Sequence, residues 1–154
     1  MEEYMHTVYI IDDDEYLKKK LSEIFKQDKD YKIKQIKTEN IDVALKDIPA
    51  LIIINEDTIS EAATEICYKI RNNDDNSITP IIVVTSSTTK EHKVEILKAA
   101  ATYFIKKPLD FEYLYYTIQN ITNLLYINSE GQGNLSRTSA LSYIILIILR
   151  HGTL

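Results

Sequence analysis

The sequence predicts an α/β fold, a parallel sheet with crossover helices, and three observations predict it. Short apolar runs rich in β-branched residues recur five times, longer segments of helical period separate them, and polar residues gather where the apolar runs end. A length of 154 residues with 45% hydrophobic and 27% charged content suits one soluble domain with a real core, followed by a tail.

The strands are read at Thr7 to Ile11, Lys32 to Ile36, Leu51 to Ile54, Ile81 to Thr85 and Tyr103 to Ile105. The first helix takes its buried stripe from Leu17, Leu21, Ile24 and Phe25. A short second helix lies around Ile41 to Lys46, and the third buries Ile66 and Ile70. The fourth presents Val94, Leu97 and the run Lys98 to Ala101. The last opens on Asp110 as N-cap and carries Leu114, Ile118, Ile121 and Leu125 on one face. Pro49 and Pro80 stand just before strands and Pro108 just after one, where no ladder hydrogen bond is lost. The domain is expected over residues 6–127. Residues 128–154 then read as a Ser, Gly and Asn linker ("NSEGQGNLSRTS") and an apolar C-terminal stub, "ALSYIILIIL" at 140–149, too short to span a bilayer.

Composition excludes several functions. All three glycines fall after residue 130, so the first 130 residues hold neither a dinucleotide fingerprint nor a P-loop. A net charge of -5 offers no footprint for a nucleic-acid backbone, and Lys18, Lys19 and Lys20 read as a solvated helix face. The single Cys67 reads as a small core residue, which fits a reducing cytoplasm. "MEEYMHTVYII" lacks the positive start of a signal peptide, and neither nucleic acid nor membrane is an expected partner of this domain.

In an open parallel sheet the ligand site lies outside the carboxyl ends of the strands. There the sequence delivers Asp12 and Asp13, then Asn55, Thr85 and Lys107. Two acids and an amide oxygen suit a hard cation such as Mg²⁺, and a hydroxyl and an ammonium opposite them suit phosphoryl oxygens.

With "IIDDDE", "PALIIIN", "EICYKIR", "PIIVVTSS" and "ATYFIKKPLD", the chain resembles the receiver domain of two-component response regulators over about residues 6 to 127. The resemblance implies the flavodoxin-like, CheY-like fold, a doubly wound five-stranded sheet in the order 2-1-3-4-5, and a non-enzymatic phosphorelay role in signal transduction. It implies Asp13 as a metal ligand, Asp12 as a water-mediated one, a backbone carbonyl supplied by Asp57, Thr85 as the phosphoryl-sensing hydroxyl, Phe104 as the rotating aromatic and Lys107 as the phosphate clamp. Partners would be a histidine kinase or another signalling protein. A homodimer would use the face of the fourth helix, fifth strand and fifth helix, where some of Tyr103, Tyr113, Tyr115, Tyr116 and Tyr126 are expected to be exposed.

One position departs from the pattern. Six places on from Pro49, thirty before Thr85 and fifty-two before Lys107, the phosphoacceptor position is Asn55. A carboxylate oxygen attacks phosphorus, whereas an amide oxygen is neutral and its nitrogen lone pair delocalised. The expectation is an atypical pseudo-receiver acting through protein contacts, with Asn55 also a poorer ligand, so that Mg²⁺ is bound weakly or not at all. The loop "EDTISEAA" lacks the Pro and Gly usual in the family. Two alternatives stand beside this: a working phosphoreceiver that uses Asp57 or carries an engineered Asn55, and a Mg²⁺-dependent phosphohydrolase of haloacid-dehalogenase type. In the latter Asp12 would attack and Asp14 act as general acid, although Asp14 is better explained as a helix cap.

Overall fold

The computed structural model describes residues 5–87 and 89–129, with side chains through residue 123. Five parallel strands, β1 (His6–Ile11), β2 (Tyr31–Ile36), β3 (Leu51–Asn55), β4 (Ile81–Thr85) and β5 (Tyr103–Lys106), form one sheet in the order β2-β1-β3-β4-β5. The order and the doubly wound, flavodoxin-like architecture are those expected. Right-handed crossovers leave few other ways to wind five such units.

The helices are α1 (Tyr16–Ile24), α2 (Ile41–Ala44), α3 (Ala63–Asn72), α4 (Lys90–Lys98) and α5 (Phe111–Ser129). Alternation along each strand divides the core in two. Tyr9, Ile11, Ile52, Ile54, Ile81 and Val83 pack with Ile41 of α2, Ile66, Cys67 and Ile70 of α3 and Ile96 of α4. Val8, Ile10, Leu51, Ile53, Ile82 and Val84 pack with Leu17 and Leu21 of α1 and Leu114, Ile118 and Ile121 of α5. Because β3 and β4 are covered on both sides, every one of their residues is buried.

Some details differ from the sequence reading. The α4 stripe is misplaced: Val94 and Leu97 are each 38% exposed, and Ile96, with Ala99 after it, faces the sheet. The helix is only nine residues long, so one buried isoleucine sets its rotation. α2 is a single turn, preceded by a 3₁₀ turn at Thr38–Asn40. After α4 the backbone passes through a left-handed position at Ala100 (φ 67°), filled by alanine in a region without glycine. The last helix reaches Ser129, two residues into the expected linker, and the apolar run at 140–149 lies outside the described residues. Tyr103 is buried and hydrogen-bonded to Tyr113 at 2.8 Å, Tyr113 and Tyr115 are half-buried, and Tyr116 is exposed; the Tyr126 side chain lies outside the described ones.

Candidate functional site

Strand register assembles the site. Ile11 pairs with Ile54, Asn55 with Val84 and Thr85 with Lys106, so Asp12, Asn55, Thr85 and Lys107 leave the sheet at one edge. The Lys107 amide, donating to the Thr85 carbonyl at 2.8 Å, extends that alignment one residue past β5.

At the floor lies Asp12, fully buried. Its Oδ2 accepts from Asn55 Nδ2 at 2.8 Å. Its Oδ1 accepts from the Asp14 amide at 2.8 Å and from the Thr58 hydroxyl. A buried carboxylate is tolerable only when its lone pairs are met, and here three donors meet them. The Asn55 amide faces both ways: its Oδ1 accepts from Lys107 Nζ at 2.6 Å. One neutral side chain thus bridges the buried anion and the cation.

Asp13 turns away from this bridge. Its carboxylate accepts from the Thr38 amide (2.8 Å), the Thr38 hydroxyl (2.8 Å) and the Ser60 amide (3.1 Å). Partial desolvation raises its pKa, but these hydrogen bonds and nearby Lys37 outweigh it and hold the carboxyl below its ordinary 3.8. Asp14 accepts from the Tyr16 amide at the start of α1, at 3.3 Å.

On the opposite side, the 3₁₀ turn Glu56–Thr58 sends two more acids into the site. Asp57 pairs with Lys107 Nζ at 2.9 Å and accepts from the Ser86 amide (3.0 Å) and hydroxyl (2.9 Å). Desolvation raises its pKa, but Lys107 and Ser86 outweigh that and keep it ionised below 3.8. The buried Thr85 hydroxyl donates to Glu56 Oε1 at 2.7 Å, and the same oxygen meets His92 Nε2 of α4 at 2.5 Å. Phe104 is buried, with Lys93 Nζ 5.8 Å from its ring centroid.

The structure therefore brings Asp12, Asn55, Asp57, Thr85 and Lys107 together and leaves Asp13 on the neighbouring loops. Sequence reasoning missed Thr38, Thr58, Ser60, Glu56, Ser86 and His92. The three hydroxyl residues "TSS" from the end of β4 and Glu56 next to Asn55 were the available signals.

The side-chain oxygens assigned to Mg²⁺ by resemblance, those of Asp12, Asp13 and Asn55, thus accept from the chain's own donors. Among the described residues no group of three or more His, Cys, Asp or Glu side chains is placed to hold a metal ion. Asp12 and Asp13 turn to separate donors, Asp12 to Asn55, Asp14 and Thr58 and Asp13 to Thr38 and Ser60.

The family pattern described as the response regulator receiver domain matches residues 8–119. The chain belongs to that family. Its members serve two-component signalling, and this receiver domain is 30% identical over 119 residues to Histidine kinase P4 of Formosa agariphila. The match takes in 75% of this chain and only 8% of that protein. Among solved structures, the chemotaxis response regulator CheY4 of Vibrio cholerae superposes with a TM-score of 0.64 at 25% identity, over 76% of this chain and 98% of that one. The receiver domain of a sensor histidine kinase from Pseudomonas aeruginosa, solved with a magnesium ion coordinated in its active site cleft, gives a TM-score of 0.66. At 13% identity over 77% of this chain and 98% of that one, it speaks to the fold alone. Among the described residues no helix is long and apolar enough to cross a membrane.

Proposed function

We infer that this receiver domain signals through protein contacts, with the phosphoryl switch of its family weakened or lost because Asn55 stands at the acceptor position. The observation that carries the reading is the amide bridge from Asp12 to Lys107. Asn55 is the last residue of β3, between the buried acid and the lysine, and an amide there neither attacks phosphorus nor needs a metal to sit beside Asp12. Mg²⁺ binding is correspondingly weak or absent, and the domain has no turnover chemistry of its own.

The partner is a histidine kinase or another signalling protein in the cytoplasm. The face of α4, β5 and α5 is the docking or dimer surface, and Val94 and Leu97 on α4 are its exposed apolar residues. The net charge of -5 disfavours nucleic acid. The functional unit spans residues 6–127.

A second reading keeps phosphorylation on a neighbouring carboxylate. Asp57 is ionised and touches Lys107, and Asp12 lies directly under Asn55. Asp12 is the poorer nucleophile, since both its oxygens already accept hydrogen bonds in a fully buried position.

Incubation with acetyl phosphate and Mg²⁺, followed by intact-mass measurement and peptide mapping, separates these readings. The parent takes up no phosphate, and Asn55→Asp takes it up at residue 55. Incorporation into the parent at Asp57 or Asp12 would overturn the pseudo-receiver reading and name the acceptor.

A further inference from the structure

Among the described residues, four donors on the β4–β5 side of the site are taken by the chain's own carboxylates. The Ser86 amide, the Ser86 hydroxyl and the Lys107 ammonium converge on Asp57 at 3.0, 2.9 and 2.9 Å. The Thr85 hydroxyl donates to Glu56 Oε1 at 2.7 Å. An ammonium, a backbone N–H and two hydroxyls are the donor set that a small tetrahedral oxyanion requires. The turn Glu56–Thr58, with about three residues per turn, aims consecutive side chains in different directions, so Glu56 and Asp57 reach different donors.

We propose that Glu56 and Asp57 are a built-in oxyanion: their carboxylates close from within a cradle for a phosphoryl-sized anion, holding Thr85 and α4 in place without one. The proposal deepens the reading of a receiver that does without phosphorylation and rests on it. Glu56 supplies the link outward, because its Oε1 meets both the Thr85 hydroxyl and His92 Nε2, tying the end of β4 to α4 through one oxygen. Lys107 supplies the link inward, because its ammonium also reaches Asn55 Oδ1 at 2.6 Å. Asp57 is partly open to solvent, with its side chain 31% exposed, so its removal would leave the donors facing the site mouth.

The test is a titration of the full chain with inorganic phosphate, without Mg²⁺, following the backbone amide resonances of Thr85, Ser86 and Ser87. In the parent these resonances stay in place. In Asp57→Ala they shift saturably, with phosphate bound at least about tenfold more tightly than by the parent. Asp57→Asn, which keeps the bulk and removes the charge, gives a smaller gain in the same direction and decides the matter should the alanine variant not fold. Phosphate binding by the parent as tight as by either variant, or a folded variant whose amides ignore phosphate, would overturn the proposal. Such reversible shifts bear on this inference alone, whereas covalent phosphate from acetyl phosphate on the parent counts against the functional reading.

Discussion

At the β2 side of the site Asp13 is held by neutral donors, the Thr38 amide and hydroxyl and the Ser60 amide, whereas at the β5 side Asp57 is held by Ser86 and the Lys107 ammonium. Both are carboxylates at the mouth of one sheet edge, and both are kept below the ordinary pKa of 3.8. The difference lies in what each corner connects. The neutral corner stitches two loops together and goes no further. The charged corner shares its lysine with Asn55, and through Asn55 with the buried Asp12, so an alteration there is felt across the whole site.

The largest effect should come from breaking the link between the corners. Asn55→Ala removes a donor to a buried carboxylate and an acceptor of an ammonium, and hydrogen bonds to charged groups are worth about 1.5–3 kcal/mol each. Chemical denaturation should show a loss of about that size. A loss below about 0.5 kcal/mol, the scatter of ordinary surface substitutions, would mean that the bridge contributes little.

A smaller effect should tell the two corners apart. Asp57→Asn and Asp13→Asn should each cost on the order of 1 kcal/mol or less, because both side chains are partly solvated. Raising the salt concentration should shrink the cost of Asp57→Asn, since ions screen the pairing with Lys107, and should alter that of Asp13→Asn less. The acid dependence has the same sign in both corners. A carboxyl held below its ordinary pKa contributes stability above about pH 4, and that contribution fades as pH falls through the folded-state value. Denaturation midpoints in a pH series should therefore fall on acidification, less steeply for each variant than for the parent. Equal salt responses would remove the distinction between the corners.

The sheet order and the positions of Asp12, Asn55, Thr85 and Lys107 were legible because strands in a parallel sheet end at one edge, so counting along each strand places its terminal polar residue. The partners of those residues were not. Glu56 and Asp57 reach Thr85, Ser86 and Lys107 only through the turn after β3, whose conformation the loop sequence "EDTISEAA" does not announce. Asp13 was assigned to metal by resemblance, but the Thr38 and Ser60 donors that engage it lie 25 and 47 residues away. The rotation of α4 was misread for a different reason. Val94, Ile96 and Leu97 offer two apolar phases over nine residues, and contact with the sheet chooses Ile96.

The central claim is that the amide at position 55 lets the site be satisfied from within, where a carboxylate would call for a cation. Substitution Asn55→Asp would place a second carboxylate against the buried Asp12, which Asn55 Nδ2 now approaches to 2.8 Å. Like charges that close disfavour the folded state until a counter-ion joins them. The direct measurement is the thermal unfolding midpoint of the parent and of Asn55→Asp, each with and without millimolar Mg²⁺. A ligand that binds only the folded state raises the midpoint, its stabilisation growing as the logarithm of one plus the ratio of free ligand to Kd. The account predicts a parent midpoint that Mg²⁺ leaves in place, and a variant midpoint that starts lower and rises with Mg²⁺. An equal rise in both proteins would contradict it.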